Sequence, residues 1–502
     1  MAPGADGGPG FFQGAWRRSA PAGTSRCSGR DYWPDTKGKL GTRWFPALVA
    51  AVQTVLKELR LTLALALPMI VGQVSQMLIG ITDAAFIGRV GTVELAAAAF
   101  AHGIFGMFYI VGLGLLLPVG VFTARDHGAG DPAGCAAWLR HGRVMALAAG
   151  GAAFLLLAGL STQLACFGQP PEVVAVVRPF FVLNSLSMVP VFYFQVQRQY
   201  LDALGRPWVG TTIMLADVAL NALLNWIFIW GHLGAPALGL TGSGVATLTA
   251  RTLAVTAIAV WLRGEADAVR GVHWSRFREM LHMGLPVGGS LLFESGAFAA
   301  AALMMGWLGA TALAAHQIAL QTASILFMVP FGISMAATVR VGHAVGRRDA
   351  AGTRRAGFAA IALAAIFMSA MVMLIIAFRH DIPLLFLGSD AADTGATVTL
   401  AATLLAYGAT FFIVDGIQTV SAGALRGLND TRVPMIFAAI SFWGIGFATS
   451  YSMAFPLRLE AVGIWTGFTV GLGVYALLLV WRFNLLTLRG YMPPAPGHAV
   501  AH

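Results

Sequence analysis

The stretch LPVGGSLLFESGAFAAAALMMG, Leu285–Gly306, is long enough to cross a lipid bilayer, and it carries a single charged residue, Glu294, near its middle. A hydrocarbon core about 30 Å thick needs roughly 20 apolar residues in a helix. A charge at the centre of that core costs at least about 2.5 kcal/mol. The stretch therefore predicts a transmembrane helix in which Glu294 faces protein or water rather than lipid.

The composition of the whole chain extends this prediction. The 502 residues are 57% hydrophobic and 11% charged, with a mean hydropathy of +0.74. Soluble domains are usually about a quarter charged, so the chain is predicted to be an all-α integral membrane protein. Three widely separated cysteines exclude a disulfide framework and a cysteine-built metal site. Residues 1–45 are rich in Gly, Pro, Ser and Arg, lack an apolar run and are predicted to be a disordered tail.

Apolar runs long enough to cross a bilayer occur twelve times, and the corresponding helices are called spans 1 to 12 below. An even number of spans places both termini on the same side of the membrane. The predicted spans cover residues 61–86, 94–123, 141–165, 175–197, 209–230, 239–262, 282–307, 313–339, 357–378, 396–423, 433–455 and 461–481.

Basic residues are distributed unequally between the two sides of these spans. Of the 32 Lys and Arg, 27 fall on the side of the termini, and one, Arg251, falls inside a span. The positive-inside rule then predicts that both termini are cytoplasmic. The same bias explains the basic pI of about 10.1 without a nucleic-acid partner, and the basic face is expected to meet anionic lipid.

The two halves of the chain repeat each other at a constant offset. Leu67-Pro68 recurs as Leu285-Pro286, and a G-x-x-G at 88–91, an L-A-A at 95–97 and a G-x-x-D-x-x-G at 128–134 recur at 306–309, 313–315 and 346–352. The repeat predicts two six-span lobes related by a pseudo-two-fold axis along the membrane normal, with a central cleft suited to alternating access. The predicted boundaries are 46–263 and 282–485 for the lobes, 264–281 for the cytoplasmic linker and 486–502 for the C-terminal tail.

Four acidic residues lie inside spans: Asp83, Asp217, Glu294 and Asp415. Such a carboxylate can bind and release a proton, or hold a small cation together with neighbouring oxygens. Asp217 and Arg251 could lie at similar depth, and we favour a structural ion pair between them, with a role in transport as the alternative. The other three have no intramembrane cation left to pair with, so Asp83, Glu294 and Asp415 are predicted to couple ion movement to transport.

Uncharged polar and apolar residues of the spans give weaker signals. Asn221 and Asn225 share a face of span 5, and Gln418 shares a face with Asp415, so these residues extend the polar network. For His316, at the outer end of span 8, a structural role is favoured over a pH sensor. The predicted substrate cleft includes two glutamines and three adaptable apolar side chains: Gln73, Gln76, Met77, Phe293 and Phe327.

Several stretches together resemble the multidrug and toxic compound extrusion (MATE) family, in its NorM-like branch. They are LPMIVGQVSQMLIGITDAAFIGRVGTVELAA, LPVGGSLLFESGAFAAAALMMGWLGATALAAHQIAL, VPFGISMAATVRVGHAVGRRD and VDGIQTVSAGALRGLNDTRVP. The resemblance runs from about residue 55 to 485. It implies a secondary active transporter that exports organic cations and other amphipathic drugs in exchange for Na⁺ or H⁺.

The resemblance also implies roles for particular residues. The family's acidic residue on span 7 maps to Glu294 in LFES, its span-10 Asp to Asp415, and its span-1 Asp before the G-x-x-G turn to Asp83. Its span-5 polar pair maps to Asn221 and Asn225. Glu294 and Asp415 are therefore a possible Na⁺ site. Asp217 and Arg251 are outside the family pattern.

Other functions are less well supported. The sequence has no GxxxxGK[ST], HExxH or GxSxG, so no enzyme is predicted and no cofactor beyond the coupling ion. A flippase for lipid-linked saccharides would have a similar two-lobe fold but usually several Arg and Lys in its cleft, and an ion channel would not need the repeat. The expected protein is a monomer in a bacterial inner membrane that binds small organic cations and lipid.

Overall fold

The computed structural model describes residues 41–265, 271–387 and 395–493. The chain divides into two units, residues 1–53 and residues 54–502. Of the first unit the structure describes only the beginning of a helix, at Gly41. The helix therefore starts before the predicted end of the tail at residue 45, and residues 1–40 of that tail lie outside the described residues. All regular elements of the described part of the chain are helices.

The first six spans of the structure follow the predicted order. Two of them consist of two helices each, because span 2 breaks at Leu117 and span 4 breaks at Ser187. The helices of spans 1 to 6 are Gly41–Gly88; Thr92–Leu116 with Pro118–Ala129; Pro132–Leu160; Pro171–Leu186 with Met188–Ala203; Pro207–Trp230; and Leu240–Trp261. Short 3₁₀ helices at Leu164–Phe167 and His232–Gly234 lie in the connections after spans 3 and 5.

Spans 7 to 12 repeat this plan with different irregularities. Span 10 bends by 49° between its two helices, and span 11 contains a π-helix. The helices are Trp274–Leu308; Ala310–Gly346; Ala350–Phe378; Gly395–Tyr407 with Ala409–Gly427; Arg432–Ala438, the π-helix Ala439–Phe447 and Ala448–Ala454; and Glu460–Leu488, with a short helix Asp381–Leu387 after span 9.

The prediction of twelve spans is confirmed within the described residues. Eleven helices there are long and apolar enough to cross a bilayer, and the bent pair of span 10 provides the twelfth. Several helices run past the predicted ends. Span 8, predicted at 313–339, extends to Gly346. The hydropathy pattern detects the hydrocarbon-facing residues, whereas the helix continues through the polar interface.

The repeated G-x-x-D-x-x-G motif lies where the helices of spans 3 and 9 begin. Asp131 caps span 3 by accepting a hydrogen bond from the Gly134 amide at 2.9 Å, and Asp349 caps span 9 by accepting one from Gly352 at 2.7 Å. These are the Asp and the second Gly of the repeated G-x-x-D-x-x-G. The carboxylate satisfies an amide that would otherwise lack a partner at the helix start. The motif is therefore explained by helix capping.

Each half of the chain packs around its own hydrophobic cluster. The cluster of spans 2 to 6 includes the buried side chains Trp138, Phe181 and Phe192. The cluster of spans 7 to 12 includes Phe411 and Phe483, and each of the two clusters extends to a few residues of the other half. The two clusters support the predicted division into two lobes.

Contacts between the lobes occur in pairs that are related by the repeat. A Cβ added to Gly114 of span 2 would lie 2.4 Å from the Cα of Gly288 in span 7. A Cβ added to Gly332 of span 8 would lie 2.8 Å from the Cα of Ile70 in span 1. The offset of the repeat takes Gly114 to Gly332 and Ile70 to Gly288, so the two contacts are equivalent. This pairing confirms the pseudo-two-fold relationship.

A second equivalent pair lies near the face at which span 12 ends, called the terminal face below. A Cβ on Gly128 would lie 2.3 Å from the His343 carbonyl oxygen, and a Cβ on Gly346 would lie 2.0 Å from that of Arg125. At Gly342 the approach is less close, because a Cβ there would lie 2.9 Å from the Cβ of Ala124 and 3.6 Å from the nearest backbone atom. Only glycine permits such close backbone approach here. These contacts hold the backbones of the two lobes together near the terminal face.

Candidate ion and substrate site

Each lobe contains a cleft lined by apolar side chains together with several polar or charged ones. The N-terminal cleft lies among spans 1, 2, 4, 5 and 6, and the C-terminal cleft lies among spans 7, 8, 10, 11 and 12. Residues lining the N-terminal cleft include Gln76, Tyr109, Phe194, Gln195, Asp217 and Arg251. Residues lining the C-terminal cleft include Glu294, Phe327, Gln418, Thr419, Arg426 and Tyr475.

The two clefts occupy equivalent positions in the repeat. The offset that relates the two halves takes Gln76 to Glu294 and Tyr109 to Phe327. Each of these four residues lines the cleft of its own lobe. The fold therefore builds the same cleft twice.

The last span of each lobe aligns with a slightly larger offset. The A-L-G at 237–239, before span 6, matches the A-V-G at 461–463, where span 12 begins. Continued along the helix, this alignment pairs Arg251 with Tyr475. The sequence thus gives the two copies of the cleft different charges.

The predicted partners Glu294, Asp415 and Gln418 meet in the C-terminal cleft. Gln418 Nε2 donates to Glu294 Oε1 at 3.0 Å and to Asp415 Oδ1 at 3.2 Å. Gln418 lies three residues after Asp415, so both project from one face of span 10 towards span 7. Glu294 lines the cleft and is partly exposed, whereas Asp415 is 4% exposed and lies behind Gln418.

This arrangement suits the binding of a small positive charge. Two carboxylates that share one site away from water cannot both stay ionised without a compensating cation or proton. Carboxylate and hydroxyl oxygens are also the ligands that hard cations prefer. The Thr419 hydroxyl lies within the same group, because Gln418 Nε2 also donates to it at 2.9 Å. The described residues contain no group of three or more His, Cys, Asp or Glu that could hold a metal ion.

Arg426 is the main residue that the sequence reasoning missed. It lies three residues beyond the predicted end of span 10 at residue 423, yet it belongs to the helix Ala409–Gly427, is 7% exposed and lines the C-terminal cleft. Its Nη2 donates to Ser334 Oγ at 2.7 Å. The prediction that Arg251 is the single basic residue inside a span is therefore wrong, and the cleft that Glu294 lines contains a base.

A signal for Arg426 was present in the sequence. Asp415, Gln418, Ala422 and Arg426 have the spacing i, i+3, i+7 and i+11, which places them on one helix face. Following that face beyond the apolar run would have placed Arg426 on the same side of span 10 as Asp415.

Asp83 lies in a separate network in the N-terminal lobe. Asn225 Nδ2 donates to Asp83 Oδ1 at 2.7 Å and to Asn221 Oδ1 at 3.2 Å, while Thr247 Oγ1 donates to Asp83 Oδ2 at 3.4 Å. Asp83 is 4% exposed and does not line the N-terminal cleft. The structure thus brings Asp83, Asn221 and Asn225 together in a network that connects spans 1, 5 and 6.

The favoured ion pair between Asp217 and Arg251 is not formed. No carboxylate of the described residues lies within 4.0 Å of the Arg251 guanidinium. Arg251 Nη1 instead donates to Ser187 Oγ at 2.6 Å and to Asn184 Oδ1 at 3.4 Å, because the break in span 4 brings these side chains to it. Asp217 and Arg251 nevertheless face the same cleft.

The remaining candidates separate into two groups. Gln76 and Phe327 line the N-terminal and C-terminal clefts, respectively. Gln73 accepts a hydrogen bond from Arg198 Nη2 at 3.0 Å, Phe293 packs against the cluster of the C-terminal lobe, and Met77 is half-buried and lines neither cleft. His316 is 2% exposed, and its Nδ1 accepts a hydrogen bond from Trp465 Nε1 at 3.2 Å, as a structural histidine would.

Comparison with known proteins matches this architecture. The MatE family model matches residues 68–227 and 286–452, which correspond to the two lobes. The "Probable multidrug resistance protein NorM" of Bradyrhizobium diazoefficiens is 43% identical over 85% of this chain and 93% of its own length. The protein of the same name from Rhodopseudomonas palustris is 44% identical over 88% of this chain and 94% of its own length.

Solved structures agree on the fold. A crystal structure of MATE in the bent conformation superposes with a TM-score of 0.79 at 21% identity, covering 88% of this chain and 98% of that one. A eukaryotic MATE transporter superposes with a TM-score of 0.77 at 18% identity, covering 87% of this chain and 99% of that one. With two matching halves, twelve spans and relatives this similar, the chain belongs to the MatE (MATE) family.

Proposed function

We propose that this protein is a secondary active multidrug efflux transporter, which exports cationic or amphipathic organic compounds in exchange for Na⁺ or H⁺. The observation that carries the proposal is the paired carboxylate site, in which Glu294 lines the C-terminal cleft and shares the Gln418 amide with Asp415. The names of the relatives, which are multidrug resistance proteins, support the same function.

Coupling follows from competition for negative charge. A cationic drug that enters the C-terminal cleft is attracted to Glu294, and so is the proton or cation that neutralises the pair. If the two ligands favour opposite-facing states or exclude each other, entry of the ion drives release of the drug. Glu294, which lines the cleft, would take up and release the coupling ion directly. Asp415 would act on the same ion through the shared Gln418 amide. Asp83 would serve as a second coupling residue in the N-terminal lobe.

The direction of transport rests on the orientation. We infer from the excess of basic residues that the terminal face and both termini are cytoplasmic. The lobes, with the predicted boundaries 46–263 and 282–485 and a linker at 264–281, are then closed towards the cytoplasm. To load a drug from inside, the contacts of Gly128 and Gly346 must separate. We place this multi-pass protein in the bacterial inner membrane, as a monomer in contact with lipid.

A flippase for lipid-linked saccharides is the alternative. Arg426 and Arg251 line different clefts, so these two arginines form no cluster for a pyrophosphate. The multidrug resistance relatives also favour efflux.

Ethidium flux in proteoliposomes tests the proposal. Purified protein is reconstituted, and a Na⁺ gradient and a pH gradient are imposed separately on wild type, Glu294→Gln and Asp415→Asn. Asp381→Asn, which neutralises an exposed carboxylate, is the matched control. We expect one of the two gradients to drive ethidium flux in wild type and in the control. In both site variants this flux should be at least about tenfold lower. A flux equal to that of wild type in both site variants would contradict the proposed ion site. The absence of gradient-driven flux in wild type would contradict the proposed function.

A further inference from the structure

Two histidines, one from each lobe, meet where the lobes touch near the terminal face. His127 lies in the last turn of the helix Pro118–Ala129 of span 2, and His343 lies in the last turn of span 8. Their ring centroids are 5.1 Å apart. The residue after His127, Gly128, brings the backbone of span 2 against the His343 carbonyl, so the main chains that carry the two rings are held close together.

The His343 ring is fixed in its orientation by a hydrogen bond to the opposite lobe. Its Nε2 lies 2.7 Å from the carbonyl oxygen of Ala203, where span 4 ends. A carbonyl oxygen only accepts hydrogen bonds, so Nε2 carries the hydrogen and Nδ1 of the neutral ring keeps its lone pair. Histidines that bind metal ions usually donate their other ring N–H to a carbonyl or a carboxylate in this way. The surroundings of His343 are therefore those of a metal ligand.

The separation of the two rings fits a shared metal ion. Two imidazoles that bind a tetrahedral Zn²⁺ at about 2.0–2.1 Å have ring centroids roughly 5 Å apart, because each centroid lies about 1.1 Å behind its nitrogen. The observed 5.1 Å matches this spacing. His127 is exposed, so an ion reaches the pair from water, and water molecules complete its coordination.

The charges around the pair favour a weakly held ion. Both rings lie near the C-terminal ends of their helices, where the partial negative charge of the helix favours a cation. Arg340 and Arg347 lie close enough to act on the His343 ring in the opposite sense. Arg340 is paired with Glu58, and Arg347 is exposed and screened by water. With two protein ligands and these arginines nearby, the pair suits an exchangeable ion rather than a permanent structural one.

We propose that His127 and His343 bind a divalent transition-metal ion of the class that imidazole prefers, such as Zn²⁺, and that the bound ion holds the terminal face closed. The ion bonds one lobe to the other beside the glycine contacts that must separate when a drug is loaded from inside. It thereby acts as an inhibitor of transport. The metal site itself is independent of the proposed function, whereas the inhibition of drug flux rests on it.

Equilibrium zinc binding tests the site without requiring transport. The protein, His127→Gln and His343→Gln are purified without a polyhistidine tag, in a background whose three cysteines are replaced by serine so that no thiol binds zinc. Dissociation constants for Zn²⁺ are measured by competition with a fluorescent zinc chelator. Glutamine at position 343 keeps an N–H donor for the Ala203 carbonyl. His380→Gln, which removes an exposed histidine from the connection after span 9, is the matched control.

We expect His127→Gln and His343→Gln each to raise the dissociation constant of Zn²⁺ at least about tenfold, because each removes one of the two protein ligands. His380→Gln should leave this constant unchanged. Zinc binding as tight as in the parent protein, in either His127→Gln or His343→Gln, would overturn the inference.

Ethidium flux in proteoliposomes then tests whether the bound ion closes the terminal face. Saturating Zn²⁺ on both sides of the membrane should lower the flux at least about tenfold in the parent protein and in His380→Gln, and less than about twofold in the two site variants. A chelator should restore the flux. Zinc that binds to the histidine pair but leaves the flux unchanged would overturn the closing role. The absence of gradient-driven flux before zinc is added would contradict the proposed function, while the zinc affinities would still decide the metal site.

Discussion

Glu294 and Asp415 accept hydrogen bonds from the same nitrogen, the Nε2 of Gln418, at 3.0 and 3.2 Å. The two carboxylates come from spans 7 and 10, so the amide joins two helices as well as two charges. A hydrogen bond to a charged group contributes about 1.5–3 kcal/mol. The occupancy of this site by an ion and the packing of spans 7 and 10 are therefore connected.

Gln418→Leu is expected to uncouple the pair. The leucine keeps the approximate volume but provides no donor, so the ionised carboxylates lose about 1.5–3 kcal/mol for each hydrogen bond. Ion-driven ethidium flux should fall at least about tenfold. Gln163→Leu, which changes an exposed glutamine in the connection after span 3, is the control. Thermal unfolding distinguishes a folding defect from a coupling defect, and a flux equal to wild type would contradict a role for Gln418.

Of the two side chains that donate hydrogen bonds to Asp83, Asn225 is expected to contribute more to the stability of the N-terminal lobe than Thr247. Asn225 donates at 2.7 Å and Thr247 at 3.4 Å, and the shorter hydrogen bond to a carboxylate is the stronger. Asn225→Ala should destabilise the protein by about 1–2 kcal/mol, and Thr247→Val by clearly less. Thermal unfolding in detergent measures both. A larger loss of stability for Thr247→Val than for Asn225→Ala would contradict this ranking of the two hydrogen bonds.

A disulfide across the terminal face is expected to stop transport. A Cβ on Gly342 would lie 2.9 Å from the Cβ of Ala124, close to the roughly 3.5–4.5 Å that a disulfide needs, so a small shift suffices. Ala124→Cys and Gly342→Cys are combined after replacing Cys27, Cys135 and Cys166 with serine. Mild oxidation should abolish ethidium flux and a reductant should restore it. Each single variant is the control, and undiminished flux in the cross-linked protein would exclude opening at this face.

The contact of Arg340 with Glu58 is expected to keep the terminal face closed. Arg340 of span 8 donates to the Glu58 carboxylate, to its backbone carbonyl at 3.0 Å and to the Thr62 hydroxyl, all on span 1. Glu58→Gln removes the charge from this partly buried pair and should favour the open state by about 1–2 kcal/mol. Alkylation of an Ala124→Cys variant in the same cysteine-free background should then accelerate roughly tenfold. An unchanged alkylation rate would mean that the glycine contacts alone hold the lobes together.

The sequence was sufficient to predict the spans and the two-lobe repeat, because apolar length and a constant offset between the halves are written directly in it. It also predicted that Asp415 and Gln418 share a face with each other. It did not predict the breaks at Leu117, Ser187 and Gly408, since apolar periodicity continues through them. The break at Ser187 matters most, because it gives Arg251 partners other than Asp217.

The ends of the spans were the least predictable part of the site. Arg426 reads as the start of a loop because charged residues follow the apolar run, yet the helix continues to Gly427 and buries it. The π-helix of span 11 has no marker in the sequence, because its wider turn depends on packing against span 12.

The central claim, that drug and coupling ion depend on the same carboxylates, is tested most directly by measuring ethidium affinity at equilibrium. Dissociation constants for wild type, Glu294→Gln and Asp415→Asn are determined over graded Na⁺ at fixed pH and over graded pH without Na⁺. We predict that one of the two ions weakens ethidium binding to wild type at least about tenfold, and that this dependence is lost in both variants. Ethidium affinity in wild type that is independent of both Na⁺ and pH would contradict the account.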